Sequence, residues 1–217
     1  GGSWTQIGQN INGASSLDHS GTSVSLNDDG SIVAIGAPKH DGNGNNSGHV
    51  RIFQNIGGSW SQVGQDIIGR NNQVKSGSAV SINSNGSIVA VGAPEDNYNG
   101  TNSGYVRIYE LISGSWAPKS PYIYGESSQD KSGSSVSLSG DGNTVAIGAP
   151  FNDGNGPNSG HVRIYQNSGI YWNQIGQDID GENSYTRNGS SVSLSQNGNT
   201  VAIGALRYGS INGHVKI

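Results

Sequence analysis

The residues best equipped for chemistry in this chain are short runs of aspartate and asparagine on glycine-rich segments. One run holds Asp41, Asn43 and Asn46. A second holds Asn97, Asn99 and Asn102, with Asp96 beside it, and a third holds Asp153, Asn155 and Asn158. Side-chain oxygens spaced in this way could ligate a hard cation or hydrogen-bond sugar hydroxyls. Calcium is the cation they would suit, with Asp41 and Asp153 supplying charge. The same side chains could instead bond their own backbone, as Asx residues do in turns. A second group lies in more variable segments: Asp18 and His19, Arg70 and Lys75, Glu126 with Asp130 and Lys131, and Glu182 with Tyr185 and Arg187. Glu126 and Glu182 are the carboxylates that could pair as acid and base, but no spacing in the sequence places them together.

These runs recur because the chain repeats. Trp4, Trp60, Trp116 and Trp172 are 56 residues apart, as are Gly36-Ala37, Gly92-Ala93, Gly148-Ala149 and Gly204-Ala205. A fixed period of this size marks an array of like supersecondary units. It also serves as a filter. A residue present in every copy is explained by architecture, whereas one that breaks the repeat is where specificity can reside.

One unit shows the elements that position the loops. Ser134 to Leu138 alternates as a strand. Gly140-Asp141-Gly142-Asn143 is turn chemistry, since glycine and asparagine tolerate positive φ. Thr144 to Ala149 is a continuous apolar strand buried on both faces, and Pro150 ends it. After the polar loop, His161 to Tyr165 alternates again, and Trp172 to Ile179 reads as a fourth strand. Four antiparallel strands in about 40–55 residues is the size of a β-propeller blade. The expected fold is all-β, a single propeller domain of four blades over residues 1–217, with an open β-solenoid as the alternative. The chain opens with the fourth-strand residues Gly2-Ser3-Trp4 and stops in a third strand, His214 to Ile217. The N-terminal strand is therefore expected to complete the last blade and close the ring, because closure removes exposed edges. A four-bladed monomer and a head-to-tail dimer of eight blades both satisfy this expectation.

Composition excludes several classes. Among 217 residues, 36 are glycine, 31% are apolar and 12% are charged, with a net charge of −4. There is no basic footprint for nucleic acid and no apolar run long enough to insert into a bilayer. Cysteine is absent, which rules out disulfides and thiolate metal sites. No Gly-x-Ser-x-Gly elbow, phosphate loop or His-Glu-x-x-His motif occurs, so no enzyme is expected. A hydrolase or lyase at the mouth of the axis is the alternative. His49, Tyr105, His161 and His214 occupy one repeat position on separate blades. They are too far apart to converge on zinc and read as packing residues.

The motifs Ser132-Gly133-Ser134-Ser135-Val136-Ser137-Leu138, Val145-Ala146-Ile147-Gly148-Ala149-Pro150 and Gly160-His161-Val162-Arg163-Ile164-Tyr165 resemble the FG-GAP repeat, which builds the propeller of integrin alpha subunits and of many bacterial surface proteins. The resemblance runs through all four copies. It implies an extracellular or cell-surface recognition or adhesion module, lectin-like, with glycans or cell-surface proteins as partners. A purely structural propeller within a larger surface protein is the alternative. Three departures qualify it. The family's phenylalanine is replaced by Ser20, Ser76, Ser132 and Asn188, and the fourth Gly-Ala-Pro becomes Gly204-Ala205-Leu206. The Asp-rich calcium loop of many members is reduced to tight turns such as Asn27-Asp28-Asp29-Gly30, so that site does not carry over and no cofactor is expected from it. The fourth Asx loop, Arg207 to Asn212, is shortened and is expected not to bind.

Overall fold

The computed structural model describes residues 2–206 and 212–217. Most of the shortened fourth loop, Arg207–Ile211, lies outside them. Four antiparallel sheets form the blades of a β-propeller. Blade one contains β1 (Ser23–Leu26), β2 (Ile32–Ala37), β3 (His49–Ile56), β4 (Ser59–Gln62) and β5 (Ile67–Ile68). Blade two contains β6 (Ala79–Ile82), β7 (Ile88–Ala93), β8 (Tyr105–Ile112), β9 (Ser115–Pro118) and β10 (Ile123–Tyr124). Blade three contains β11 (Ser135–Leu138), β12 (Thr144–Ala149), β13 (His161–Asn167), β14 (Trp172–Gln174) and β15 (Ile179–Asp180). Blade four contains β16 (Asn188–Leu194), β17 (Val201–Ala205) and β18 (His214–Lys216).

The expected fourth strand is split in two. In blade three, Trp172 to Gln174 pairs with one half of β13 and Ile179–Asp180 with the other. Gly176 lies between them at φ 73°, a left-handed conformation that glycine adopts without steric cost. The equivalent Gly64 also sits close to the Trp116 ring, where an added Cβ would come within 2.8 Å of Cδ1. The break thus lets the next blade's indole lie against the backbone.

Consecutive blades bury their facing sides on each other. Val80, Ile82, Val89 and Val91 of blade two pack on Ala34, Val50 and Ile52 of blade one. Val136, Leu138, Val145 and Ile147 pack on Ala90, Val106 and Ile108, and Val192, Leu194, Val201 and Ile203 on Ala146, Val162 and Ile164. The repeated glycine of the Gly-Ala pair sets the spacing. A Cβ on Gly36, Gly92 or Gly148 would sit 2.1 Å from the carbonyl oxygen of Gly77, Gly133 or Gly189 in the next blade. At the axis the first turns are laddered, with Asp28 N–H donating to Ser84 O, Ser84 N–H to Gly140 O and Gly140 N–H to Gln196 O.

The expected closure by the N-terminal strand does not occur. Blade four has three strands among the described residues, and Trp4 is 100% exposed. Residues 7–9 instead lie against blade one. There Ile7 O accepts from the Trp60 indole N–H at 2.9 Å, and Gln9 brackets the Trp60 backbone. This copies the seating of Val63 and Gln65 on Trp116. The N-terminal segment is therefore held by the blade that follows it, as the Val63–Gln65 segment is held by Trp116. A seam is left between blades four and one. Val24 and Leu26 are 64% and 59% exposed, and Val215 is 65% exposed, whereas their counterparts Val80, Ile82 and Val162 are buried. Gly204 meets only its own blade's Ser191, and nothing lies near Gly21.

Candidate functional site on the loop face

The loops between the second and third strands share a face with the blade junctions. Parallel bridges tie them together at Gly48 with Ser76, Gly104 with Ser132 and Gly160 with Asn188. The three Asx runs shape these loops. Asp41 Oδ1 accepts from the Asn46 N–H, Asn97 Oδ1 from Asn102 N–H and Asp153 Oδ1 from Asn158 N–H, at 2.8, 2.7 and 2.7 Å. Asn46, Asn102 and Asn158 take positive φ. Asn43, Asn99 and Asn155 use their amide groups to reach the junction, donating to the carbonyls of Arg70, Gly125 and Gly181. Asp41 and Asp153, the carboxylates considered for calcium, each use one oxygen in this way. Glu126 pairs with Arg163 at 3.0 Å and Glu182 with Lys216 at 3.5 Å, so each faces a cation of its own blade.

The Asx frame holds residues that differ from blade to blade. In blade one, Asp18 accepts from His40 Nδ1–H at 3.0 Å and His49 packs beneath, its ring 3.9 Å from that of His40. In blade three the same positions hold Asp130, Asn152 and His161, with Asn152 donating to Asp130 at 3.2 Å. Nearby Glu126, Asp153, Asp178 and Asp180 line an acidic cleft of about 380 Å³. Burial, and then the charge of Arg163, hold His161 below the ordinary histidine range, which keeps it neutral.

Blade two replaces these groups with tyrosines around an arginine. Arg70 makes a bidentate pair with buried Asp96 at 2.9 and 2.6 Å. It donates to Tyr124 OH at 2.8 Å and lies 4.9 to 5.3 Å from the ring centres of Tyr98, Tyr105, Tyr122 and Tyr124. Such an arginine is fixed by its fork geometry and by cation–π attraction. Tyr98 stacks on Tyr124 with centroids 4.2 Å apart and planes 14° apart. Tyr98 is nonetheless 64% exposed. Burial raises the Tyr105 and Tyr124 hydroxyl pKa values, so both remain neutral hydrogen-bonding groups. Sequence reasoning weighed Asn97 and Asn99 but passed over Tyr98 between them. Its signal was a break in the repeat, since Gly42 and Gly154 stand at that position in the neighbouring blades.

Fold and loop face together define a β-propeller of repeated blades with individualised loop surfaces. The FG-GAP repeat family model matches residues 12–53 and 125–165 of this chain. No curated protein matches this chain. Among solved structures, a Kuenenia stuttgartiensis hydrazine synthase aligns over 95% of this chain and 47% of its own, with TM-score 0.59 and 15% identity. A putative 6-phosphogluconolactonase from Bacteroides uniformis aligns over 89% of this chain and 52% of its own, with TM-score 0.53 and 12% identity. This chain thus spans about half the length of each structure, and the likeness is one of fold. No helix among the described residues is long and apolar enough to cross a membrane.

Proposed function

We propose that this propeller is a non-enzymatic, lectin-like recognition module of the cell exterior that binds glycans through its loop face. The observation that carries the reading is Tyr98. A large aromatic ring stands exposed on a loop braced at both ends, stacked on a second tyrosine and backed by a fixed arginine. Recognition sites combine such aromatic surfaces with a few placed polar groups, and binding residues favour loops on a rigid scaffold. The apolar face of a sugar ring would lie on Tyr98, and nearby side chains and carbonyls would meet its hydroxyls. A glycan array tests the reading. Binding that is lost in Tyr98→Ala supports it, and silence of the wild-type chain on the array counts against it.

The seam supports a second reading, in which two copies assemble head to tail. The apolar packing that joins blade one to two, two to three and three to four is left unmade by the first and last faces, although the Gln196 amide donates to Asp28 across the seam. Val24, Leu26 and Gly21 match the residues that receive a preceding blade. Gly204 and Val215 match those that receive a following one. Two copies would repeat the internal interface at both seams, and paired sites would add avidity. Mass by light scattering tests it. A dimer supports the reading, and a monomer at micromolar concentration opposes it.

A further inference from the structure

Blade one gathers two histidines and an aspartate, where blade three gathers one histidine, His161, with the carboxylates of Glu126 and Asp178. One nitrogen each of His40 and His49 and a carboxylate oxygen of Asp18 lie within 4.8 Å of one another. The three come from different segments: a junction loop, the β2–β3 loop and the start of β3. His49 is completely buried, yet neither ring nitrogen has a hydrogen-bond partner. A buried polar group without a partner costs about 1–3 kcal/mol, so such an atom calls for an explanation. Asp66 is 3.5 Å from His49 Nδ1, near enough to bias which nitrogen holds the proton, as carboxylates beside ligating histidines do.

We propose that Asp18, His40 and His49 form a site for a divalent first-row transition ion such as Zn²⁺. Two imidazoles and a carboxylate suit such an ion better than calcium or magnesium, which prefer oxygen donors. Three protein ligands leave a fourth position for water or a ligand. A cleft of about 320 Å³, lined by Leu17, Asp18, His19 and Lys39, opens at the Asp18 end of the group. The ion would take the place of the hydrogen bond between His40 and Asp18. The other blades lack the set. Asp96 and Asn152 stand at the His40 position, and Val74 and Asp130 at the Asp18 position.

The test is titration of the metal-free chain with Zn²⁺ by calorimetry, alongside His40→Asn. That variant copies Asn152, which keeps a hydrogen bond to Asp130 in blade three, so the fold should persist. The expected result is one tight equivalent in the wild type, at least tenfold weaker in His40→Asn, with a rise in wild-type melting temperature that the variant lacks. No binding by the wild type, or equal affinity in the variant, would overturn the proposal. Should His40→Asn fail to fold, Co²⁺ spectra of the unaltered chain decide. Intense visible bands of a four- or five-coordinate ion at a single equivalent support the site, and their absence overturns it.

Discussion

Replacing Gly148 and Gly204 by alanine, separately, probes how the blades meet. The two residues occupy the same repeat position and carry the same Gly-Ala signature. At Gly148 the new methyl would sit 2.1 Å from Gly189 O and 2.3 Å from Ser135 Oγ. Blade four would have to retreat by about 1 Å to reach ordinary contact, because a backbone carbonyl cannot rotate away, and that would open the contact between Ala146, Val162 and Ile203. Overpacking alone costs about 1–3 kcal/mol, and lost contacts across a displaced blade add to it. For a chain of this size each kcal/mol lowers Tm by roughly 2–4 °C, so Gly148→Ala should melt about 5–10 °C below wild type. At Gly204 the methyl meets Ser191 Oγ at 2.2 Å and no backbone of another blade. A serine hydroxyl can change rotamer, and the cost should stay below about 1 kcal/mol. Differential scanning calorimetry of both variants, at a concentration where the chain is monomeric, reads the difference. Equal losses at the two positions would refute the open seam. If the chain dimerises through the seam, Gly204→Ala should instead shift the dimer to monomer with little change in monomer stability.

Other outcomes follow from the same packing. Trp116→Ala should cost about 3–5 kcal/mol, because Trp116 is buried and its indole donates to Val63 O at 2.9 Å. Trp4→Ala should cost less than about 0.5 kcal/mol, since Trp4 makes no packing contact; equilibrium urea unfolding separates the two, and a large loss at Trp4 would show that it packs. His161 is buried and held below its ordinary pKa of 6.5, so the unfolded chain takes up protons more readily. Its contribution to stability is complete above pH 6.5 and is lost as pH falls below it. His161→Tyr, which copies Tyr105 in blade two, should flatten the acid limb of a Tm–pH curve; an unchanged limb would assign it to other groups.

The repeat made much of the fold legible. Alternation at Ser135–Leu138 and the apolar run Thr144–Ala149 marked the first two strands, and Gly148 marked the close approach of blades. The fourth strand was read as continuous because Trp172 to Ile179 has no proline. The break falls at Gly64 and Gly176, which take positive φ, and at Gly64 an indole of the following blade lies against it, which period and propensity do not encode. Closure failed for a related reason. The residues flanking Trp4 match a fourth strand, yet Ile7 and Gln9 are held by Trp60 of the following blade, and among the described residues no strand forms before them. At the loop face, Asp41, Asn43 and their repeats were legible as a set, and the structure shows their bonds shaping the loops. Tyr98 and His40 could have been found by asking which residues break the register there. The meeting of His40 with His49 and Asp18 could not, since it requires a loop to fold back over a strand and a junction.

The central claim is that the loop face of blade two is a recognition surface. Amide chemical-shift mapping of the labelled chain against a glycan identified on an array tests it most directly. Saturable shifts confined to Asn97–Asn102, Arg70 and Tyr124 are expected. Shifts centred on the opposite turns around Asp28, Ser84 and Gly140, or none at any glycan concentration, would contradict it.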